Sequence, residues 1–310
     1  SPPPSLEVVN RINSRCVDIP TDVPLFPIAT ATNAVRQEII DAHTVAAART
    51  LHVIGFAAHF QLKGNFTPAQ EKTSLRILKK SLDSQLQFLT PVLYAYIGMH
   101  VMVTNNCDVE HGIGNGTLGI VVGFVWQDEV TGDTRFREAS LVPDDALSPV
   151  VLLPTTLPKY ILIRLTSPES ITARSTIHLA DLPDDVWPIK TITKDVTRIV
   201  NGVRVSARMR QFPIVCADAL TFYKLQGATI EGNLCIDSLK GAGLQSAYTA
   251  LTRVRRLDQL YLREALLLNV ARGSRLPIGL AEEQSRLLAI SCRIVSSLML
   301  LRKPNMSTCL

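Results

Sequence analysis

A long segment without a helical pattern interrupts this chain and limits the folds that the rest can adopt. Between residues 118 and 207, short β-branched stretches alternate with Pro, Asp and Gly. On both sides of this segment, apolar strand-like runs alternate with helical stripes. Strand–helix alternation favours a mostly parallel sheet covered by helices, whereas closely spaced strands favour a small antiparallel barrel. The sequence therefore predicts an α/β fold that is interrupted by a β-rich insert.

Local signals place the individual elements within this plan. Thr32 and Asn33 are good helix caps and precede an apolar stripe that runs to about residue 49. Pro68 is typical of a helix start. Asn201-Gly202, between two alternating strands, predicts a type I′ hairpin. After the insert, the pattern predicts a strand over 212–217, a short helix over 218–225, a strand over 234–237, a helix over 245–254 and a strand over 259–263.

Composition excludes several classes of protein. Hydrophobic residues make up 46% of the 310 residues and charged residues 19%, which provides enough apolar surface for a core and excludes a disordered chain. The net charge of +5 permits binding to phosphates without requiring it. The longest apolar run, at 287–301, contains Arg293 and is shorter than the ~18–20 residues of a membrane helix, so no membrane partner is expected. Six Cys without a C-x-x-C pair fit reduced thiols inside a cell.

Phosphate-binding and metal-binding motifs are weak or absent in this sequence. Residues 114–119 match G-x-G-x-x-G, but a strand-like run follows where dinucleotide binding needs a helix, so an oxidoreductase is a distant alternative. No G-x-x-x-x-G-K-[ST] occurs. Two apolar runs end in Asp218 and Asp237 and are interpreted as core strands with a capping carboxylate. The six His show no ligand spacing, so no metal site is expected.

Two segments near the C-terminus carry a family resemblance. Residues 217–230 read A-D-A-L-T-F-Y-K-L-Q-G-A-T-I, and residues 247–253 read A-Y-T-A-L-T-R. They resemble motif V (T-I-H-K-S-Q-G-x-T) and motif VI (Y-V-A-L-S-R) of superfamily 1B DNA helicases, in the petite-integration-frequency and RecD-related branch. Residues 31–35 and 98–106, the latter followed by Asn115-Gly116-Thr117, resemble further stretches of that family. The resemblance covers roughly residues 5–265.

The resemblance implies a domain organisation. It indicates a RecA-like, P-loop-NTPase-type second domain with a mostly parallel sheet, interrupted by a small antiparallel SH3-like β-barrel. We expect the RecA-like domain over 1–117 and 208–268, the insert over 118–207 and a helical tail over 269–310. The first RecA-like domain, with its P-loop and magnesium-binding strand, is not in this sequence, so the chain is expected to be the C-terminal part of a longer enzyme.

The resemblance also assigns roles to particular residues. Arg253 matches the motif VI arginine that stabilises the charge on the transferred γ-phosphoryl group, and it is the expected catalytic residue. Gln226 and Gly227 match the turn on the nucleotide side. Four residues are expected to bind DNA: Thr221, Tyr223, Lys224 and Asn33. Hydroxyl and ammonium contacts to phosphates would position the strand without reading its bases.

The implied function is that of an ATP-dependent 5′-to-3′ DNA helicase in DNA repair, recombination and genome or telomere maintenance, in the nucleus or the mitochondrion. Its expected cofactors are ATP and Mg²⁺, bound mainly by the first RecA-like domain. Its expected partners are single-stranded DNA and that missing domain. The alternative is a non-catalytic, truncated or decayed helicase remnant that at most binds single strands. The changed motif V and the unusual C-terminal tail favour the alternative. In motif V, Tyr223 replaces the usual His and Leu225 replaces the usual Ser or Ala.

Overall fold

The structure is a computed structural model that describes residues 6–16, 27–126, 136–141, 149–166, 182–200, 202–226, 230, 232–239, 242 and 244–265. The expected helical tail over 269–310 lies outside the described residues, as do Gly227 and Asn201. The helices are α1 (Leu6–Asn13), α2 (Asn33–Ala48), α3 (Pro68–Lys79) and α4 (Leu244–Leu251).

Four short strands form a parallel sheet in the order β14-β1-β15-β16. Their bounds are β1 (Ile28–Thr30), β14 (Ala219–Thr221), β15 (Leu234–Ile236) and β16 (Leu260–Leu262). One face of the sheet packs against Ile39 of α2, and the other packs against Ala247 and Ala250 of α4 and Val9 of α1. Helices therefore cover both faces of the parallel sheet, which is the layered α/β arrangement that the alternating pattern predicts.

The remaining strands form three further sheets in which most pairs are antiparallel. A five-stranded sheet has the order β10-β9-β6-β5-β13, a three-stranded sheet the order β11-β12-β3, and a four-stranded sheet the order β4-β2-β8-β7. Their bounds are β2 (Ile54–Ala57), β3 (His59–Leu62), β4 (Val92–Ala95), β5 (His100–Val103), β6 (Leu118–Val125), β7 (Phe136–Ser140), β8 (Val150–Pro154), β9 (Tyr160–Leu165), β10 (Val186–Ile189), β11 (Ile192–Val200), β12 (Val203–Gln211) and β13 (Ile214–Cys216). The predicted fold class, a mixed α/β fold with a parallel sheet and antiparallel strands, is confirmed.

Strands from both sides of the insert belong to these antiparallel sheets. The strands β2 to β5 precede residue 118, and β13 follows residue 207, yet all five pair outside the parallel sheet. Only Ala217 and Asp218, both buried, separate β13 from β14 of the parallel sheet. The domain boundaries at 117/118 and 207/208 stay a prediction.

Most local expectations agree with the observed elements. The hydroxyl of Thr32 accepts from the backbone N–H of Val35 at 3.3 Å and caps α2. A capping box between Thr67 and Gln70 starts α3, with Pro68 as its first residue. The strands β11 and β12 form the expected hairpin, in which Val200 pairs with Val203 and Gly202 has φ 76°. A left-handed backbone at this turn is the reason that a glycine stands there.

The predicted helix over 218–225 is wrong. Residues 219–221 form β14, and Thr30 and Thr221 are paired across the parallel ladder with β1. Ala219 and Leu220 are buried on opposite faces of the sheet, against α2 and against α4. Burial on both faces and the ladder hydrogen bonds outweigh the local helical pattern. Residues 222–226 then form consecutive turns.

The glycine-rich segment at 114–119 joins two strands of the antiparallel sheet. Gly116 has φ 97°, and Gly119 is the second residue of β6. A Cβ at Gly119 would lie 2.8 Å from the carbonyl oxygen of Arg164 on β9, so close strand approach explains this glycine. A strand follows the motif, and the helix N-terminus that dinucleotide binding requires is therefore not there.

Among the described helices, none has the length and hydropathy that a membrane crossing requires.

Candidate nucleic-acid interface

Two neighbouring parallel strands bring several predicted residues to one edge of the sheet. β1 and β14 run side by side, and Thr30 pairs with Thr221, so both strands end at the same place. The chain leaves β1 through Thr32 into α2, whose first residue is the half-buried Asn33. It leaves β14 into the turns at 222–226. The crevice beyond the carboxyl ends of parallel strands is the usual binding position in open α/β sheets.

The turn segment alternates buried and exposed side chains. The carbonyl of Thr221 accepts from the backbone N–H of Lys224 at 2.9 Å and of Leu225 at 3.2 Å. Leu225 is fully buried in the core that covers the parallel sheet, while Tyr223 is 80% exposed. The apolar residue at position 225 therefore anchors the turn, and this anchoring holds Tyr223 and Lys224 at the surface.

Lys224 is half-buried and lies over an aromatic ring. Its ammonium nitrogen is 4.2 Å from the centroid of the Phe88 ring, a cation–π distance. Burial lowers the pKa of Lys224 to about 8, with Asp83 opposing the shift and Arg36 adding to it. Among the described residues, no carboxylate forms an ion pair with Lys224, so an incoming phosphate would supply its counter-charge.

A cavity of about 490 Å³ opens beside this lysine. Its walls come from the turn segment, from the Asn115-Gly116 loop and from the end of the segment that precedes β4. The lining residues are Phe88, Met102, Asn115, Gly116, Leu118, Leu220, Tyr223, Lys224, Leu225, Gln226 and Ile230. Aromatic, amide and ammonium groups thus surround one open depression.

Arg253 lies next to the other end of the same turn. Its guanidinium donates to the carbonyl of Thr249 at 2.7 Å and is 3.5 Å from the carbonyl of Leu225. The backbone of Arg253 accepts from Ile230 at 2.9 Å, which ties the end of α4 to the chain that enters β15. The remaining amino group of the Arg253 guanidinium donates to the hydroxyl of Thr252 at 2.9 Å, so all three guanidinium nitrogens donate within the chain. Arg253 is half-exposed and does not line the cavity that Gln226 lines.

Sequence reasoning missed three residues around Lys224. Asp83 and Arg36 form a buried ion pair, and Phe88 carries the ring beneath the lysine. Arg36 belongs to α2 and Asp83 to the segment after α3, so they are 47 positions apart. No local spacing connects such residues, and one sequence without its fold gave no signal for them.

The two Asp-ended runs have structural partners. Asp237 forms an ion pair with Arg263 at 2.5 Å. Asp218 is buried, with its Oδ1 3.2 Å from His100 Nδ1 and its Oδ2 3.6 Å from His43 Nδ1. Burial acts against the charge of Asp218, but the two histidines outweigh it and lower its pKa to about 2. The same contact raises the pKa of His100.

We expect Asp218→Asn to lower the free energy of unfolding at pH 5 by about 2–3 kcal/mol, since a carboxylate with a folded pKa near 2 stabilises the fold above its unfolded pKa of about 3.9. This contribution disappears as the pH falls through 2. The contribution of His100 is complete below about pH 6.5 and is lost as the pH rises through its elevated pKa. Urea unfolding from pH 2 to pH 8 measures both.

The control for this variant is Asp185→Asn, which removes an exposed pair with Arg164 and should change stability by less than about 1 kcal/mol. An Asp218→Asn protein with the stability and pH profile of the wild type would contradict the role given to this carboxylate.

Comparison with known proteins gives matches among solved structures. No protein-family model and no curated protein matches the chain. Pif1 helicase from Candida albicans superposes with a TM-score of 0.53 and 20% identity, over 91% of this chain and 54% of that one. Bacteroides Pif1 in complex with ADP-AlF3 and single-stranded DNA superposes with a TM-score of 0.52 and 15% identity, over 92% of this chain and 51% of that one.

Bacteroides Pif1 bound to single-stranded DNA gives a TM-score of 0.51 and 14% identity, over 91% of this chain and 50% of that one. The chain thus spans about half the length of the solved structures that it matches. At these identities the likeness concerns the fold, and this chain has the fold of about half of a Pif1 helicase.

Proposed function

We propose that this chain is the strand-binding part of an ATP-dependent 5′-to-3′ DNA helicase of superfamily 1B. The observation that carries the proposal is the position of Lys224, which follows the carboxyl end of β14 and lines an open cavity together with Tyr223 and Gln226. The solved structures with the same fold include Pif1 proteins bound to single-stranded DNA. Roles in repair, recombination and genome or telomere maintenance, in the nucleus or the mitochondrion, belong to this proposal.

In the proposed interface, the phosphates of a single strand lie along the carboxyl edge. Lys224 neutralises one phosphate, and the half-buried Asn33 lies at the start of α2 on the same edge. The side chain of Thr221 is only 7% exposed, so Thr221 acts through the turn that carries Lys224, whose backbone N–H donates to its carbonyl. Tyr223, almost fully exposed, offers a ring and a hydroxyl to the strand. Such contacts bind strands without base specificity and weaken as salt increases.

ATP would contact this chain from a partner domain. We assign Arg253 and Gln226 to one side of a triphosphate, because a guanidinium stays charged and can contact two phosphate oxygens. To do so, the guanidinium would exchange its hydrogen bonds with Thr249, Leu225 and Thr252 for the phosphate oxygens. The sequence contains no P-loop, so the β- and γ-phosphates and Mg²⁺ would be held by a first RecA-like domain. In that arrangement Arg253 stabilises the charge that develops on the γ-phosphoryl oxygens.

We expect Lys224→Ala to weaken single-strand binding and to reduce the slope of log K against log salt by about one unit, because one phosphate contact is lost. The measurement is fluorescence anisotropy with a labelled oligothymidylate across a salt series. Lys72→Ala serves as the matched control, since Lys72 is an exposed lysine on α3 that does not line the cavity.

An unchanged salt slope in Lys224→Ala would contradict the assignment of Lys224 to a phosphate. If the wild-type chain binds no single strand at any salt concentration, the proposed function itself is wrong.

A further inference from the structure

The segment between α3 and β4 holds an aromatic residue in an unusual backbone conformation. Gln87 has φ 55° and Phe88 has φ 61°, and they are the only non-glycine residues with positive φ in the described part of the chain. For bulky residues the left-handed region costs free energy, and two such residues in succession are uncommon. A fold keeps this conformation only where its surroundings impose it, and such positions cluster at binding and catalytic sites.

Several contacts impose it here. The carbonyl of Asp83 accepts from the backbone N–H of Phe88 at 2.8 Å, and the carbonyl of Phe88 accepts from the hydroxyl of Thr104 at 3.1 Å. The side chain of Gln87 donates to the carbonyl of Asp195 at 2.7 Å, and Lys194 donates to the carbonyl of Gln87 at 3.2 Å. One of these bonds lies within the segment, and the other three join it to β11 and to Thr104, the residue after β5.

The buried ion pair fixes the start of this segment. Arg36 and Asp83 are each about 1% exposed at their side chains, and Asp83 also accepts from the backbone N–H of Ser84 at 2.7 Å. Leu86 and Leu89, on either side of the strained pair, are fully buried. The segment is thus anchored at both ends, while Phe88 between them is left 36% exposed.

The exposed ring faces the candidate interface. Phe88 lines the same cavity as Tyr223 and Gln226, and the ammonium of Lys224 lies over its ring. The ammonium covers one face of the ring, so a phosphate that draws the lysine toward itself would free that face and bring its own nucleoside next to the ring. A packing role alone would favour burial of the ring beside Leu86 and Leu89, and the strained backbone instead turns it outward.

We propose that Phe88 is a stacking platform for a nucleobase of the strand whose phosphate Lys224 binds, an inference that rests on the proposed function. Every base has an aromatic face, so the platform accepts any base and contributes affinity without sequence preference. Phe88 and Lys224 then form one unit: the lysine contributes a salt-dependent contact and the ring contributes a salt-independent one.

The test compares Phe88→Leu, Phe88→Trp and the wild type in binding an oligothymidylate and a strand of equal length whose residues are abasic. Phe88→Leu keeps an apolar side chain but removes the ring, and it should bind the oligothymidylate about tenfold more weakly with an unchanged salt slope. Phe88→Trp should keep the affinity. On the abasic strand, Phe88→Leu and the wild type should bind equally, because no base is present to stack.

Ile97→Ala is the matched control, since Ile97 is a 55% exposed apolar residue that does not line the cavity. Equal binding of the oligothymidylate by Phe88→Leu and the wild type overturns the stacking role. An equal loss by Phe88→Leu on both strands also overturns it, because the ring would then act on the shape of the site. Both results leave the salt slope of Lys224→Ala as the separate test of the proposed function.

Discussion

Arg253→Lys is expected to reduce DNA-stimulated ATP hydrolysis about 10³-fold or more when this chain is joined to a first RecA-like domain that carries a P-loop. A lysine keeps the positive charge but cannot reach two phosphate oxygens in the planar geometry of a guanidinium. It would also lose the present contacts of Arg253 with the carbonyls of Thr249 and Leu225. The measurement is steady-state phosphate release with saturating single-stranded DNA.

The control is Arg256→Lys, which changes a nearby exposed arginine that is ion-paired with Asp258. With this substitution, the joined chain and first RecA-like domain should hydrolyse ATP at the same rate as with the wild-type chain. Strand binding by Arg253→Lys should also be unchanged, because the DNA contacts are assigned to other residues. If the wild-type chain joined to the first RecA-like domain binds both DNA and nucleotide but does not hydrolyse ATP, the chain is the non-catalytic strand-binding remnant.

Asp83→Ala is expected to lower the free energy of unfolding by about 3–5 kcal/mol, since it leaves the charge of Arg36 buried without its partner. Both side chains are about 1% exposed, and the Nε and Nη1 atoms of Arg36 have no hydrogen-bond partner among the described residues. Removing the carboxylate therefore leaves a buried guanidinium without its counter-charge. Denaturant unfolding monitored by circular dichroism measures the loss.

A double substitution separates the charge from the packing. Arg36→Met with Asp83→Leu replaces the pair by apolar side chains, and such replacements of buried pairs are often neutral or stabilising. The double variant should therefore recover most of the stability that Asp83→Ala loses. A loss below about 1 kcal/mol in Asp83→Ala would contradict the buried position of the pair.

The elements with strong local signals could be predicted from the sequence. Thr32 and Pro68 mark the starts of α2 and α3, and the turn before Val203 marks the β11–β12 hairpin, because capping and turn chemistry act over a few residues. Burial within a ladder acts over long distances, and for this reason residues 219–221 form a strand where the local pattern favours a helix.

The candidate site could be predicted only in part. The motif resemblance identified Lys224, Thr221 and Arg253, and the structure brings Lys224 and Arg253 to one turn segment. The motif resemblance gave no indication of Phe88, because a positive φ at a phenylalanine has no sequence signature. An arginine such as Arg36 on an amphipathic helix also reads as a surface residue, and only the fold reveals its buried partner.

The very short connection between β13 and β14 has a mechanical consequence. Only Ala217 and Asp218 connect β13 of the five-stranded antiparallel sheet to β14 of the parallel sheet, and Asp218 is ion-paired with His100 of β5. The two sheets can therefore move little relative to each other at this point. A tilt of the antiparallel sheet would be transmitted along β14 to Thr221 and the turn that follows it. A change in the orientation of the five-stranded antiparallel sheet should therefore also change the position of Thr221 and of the turn segment that follows it.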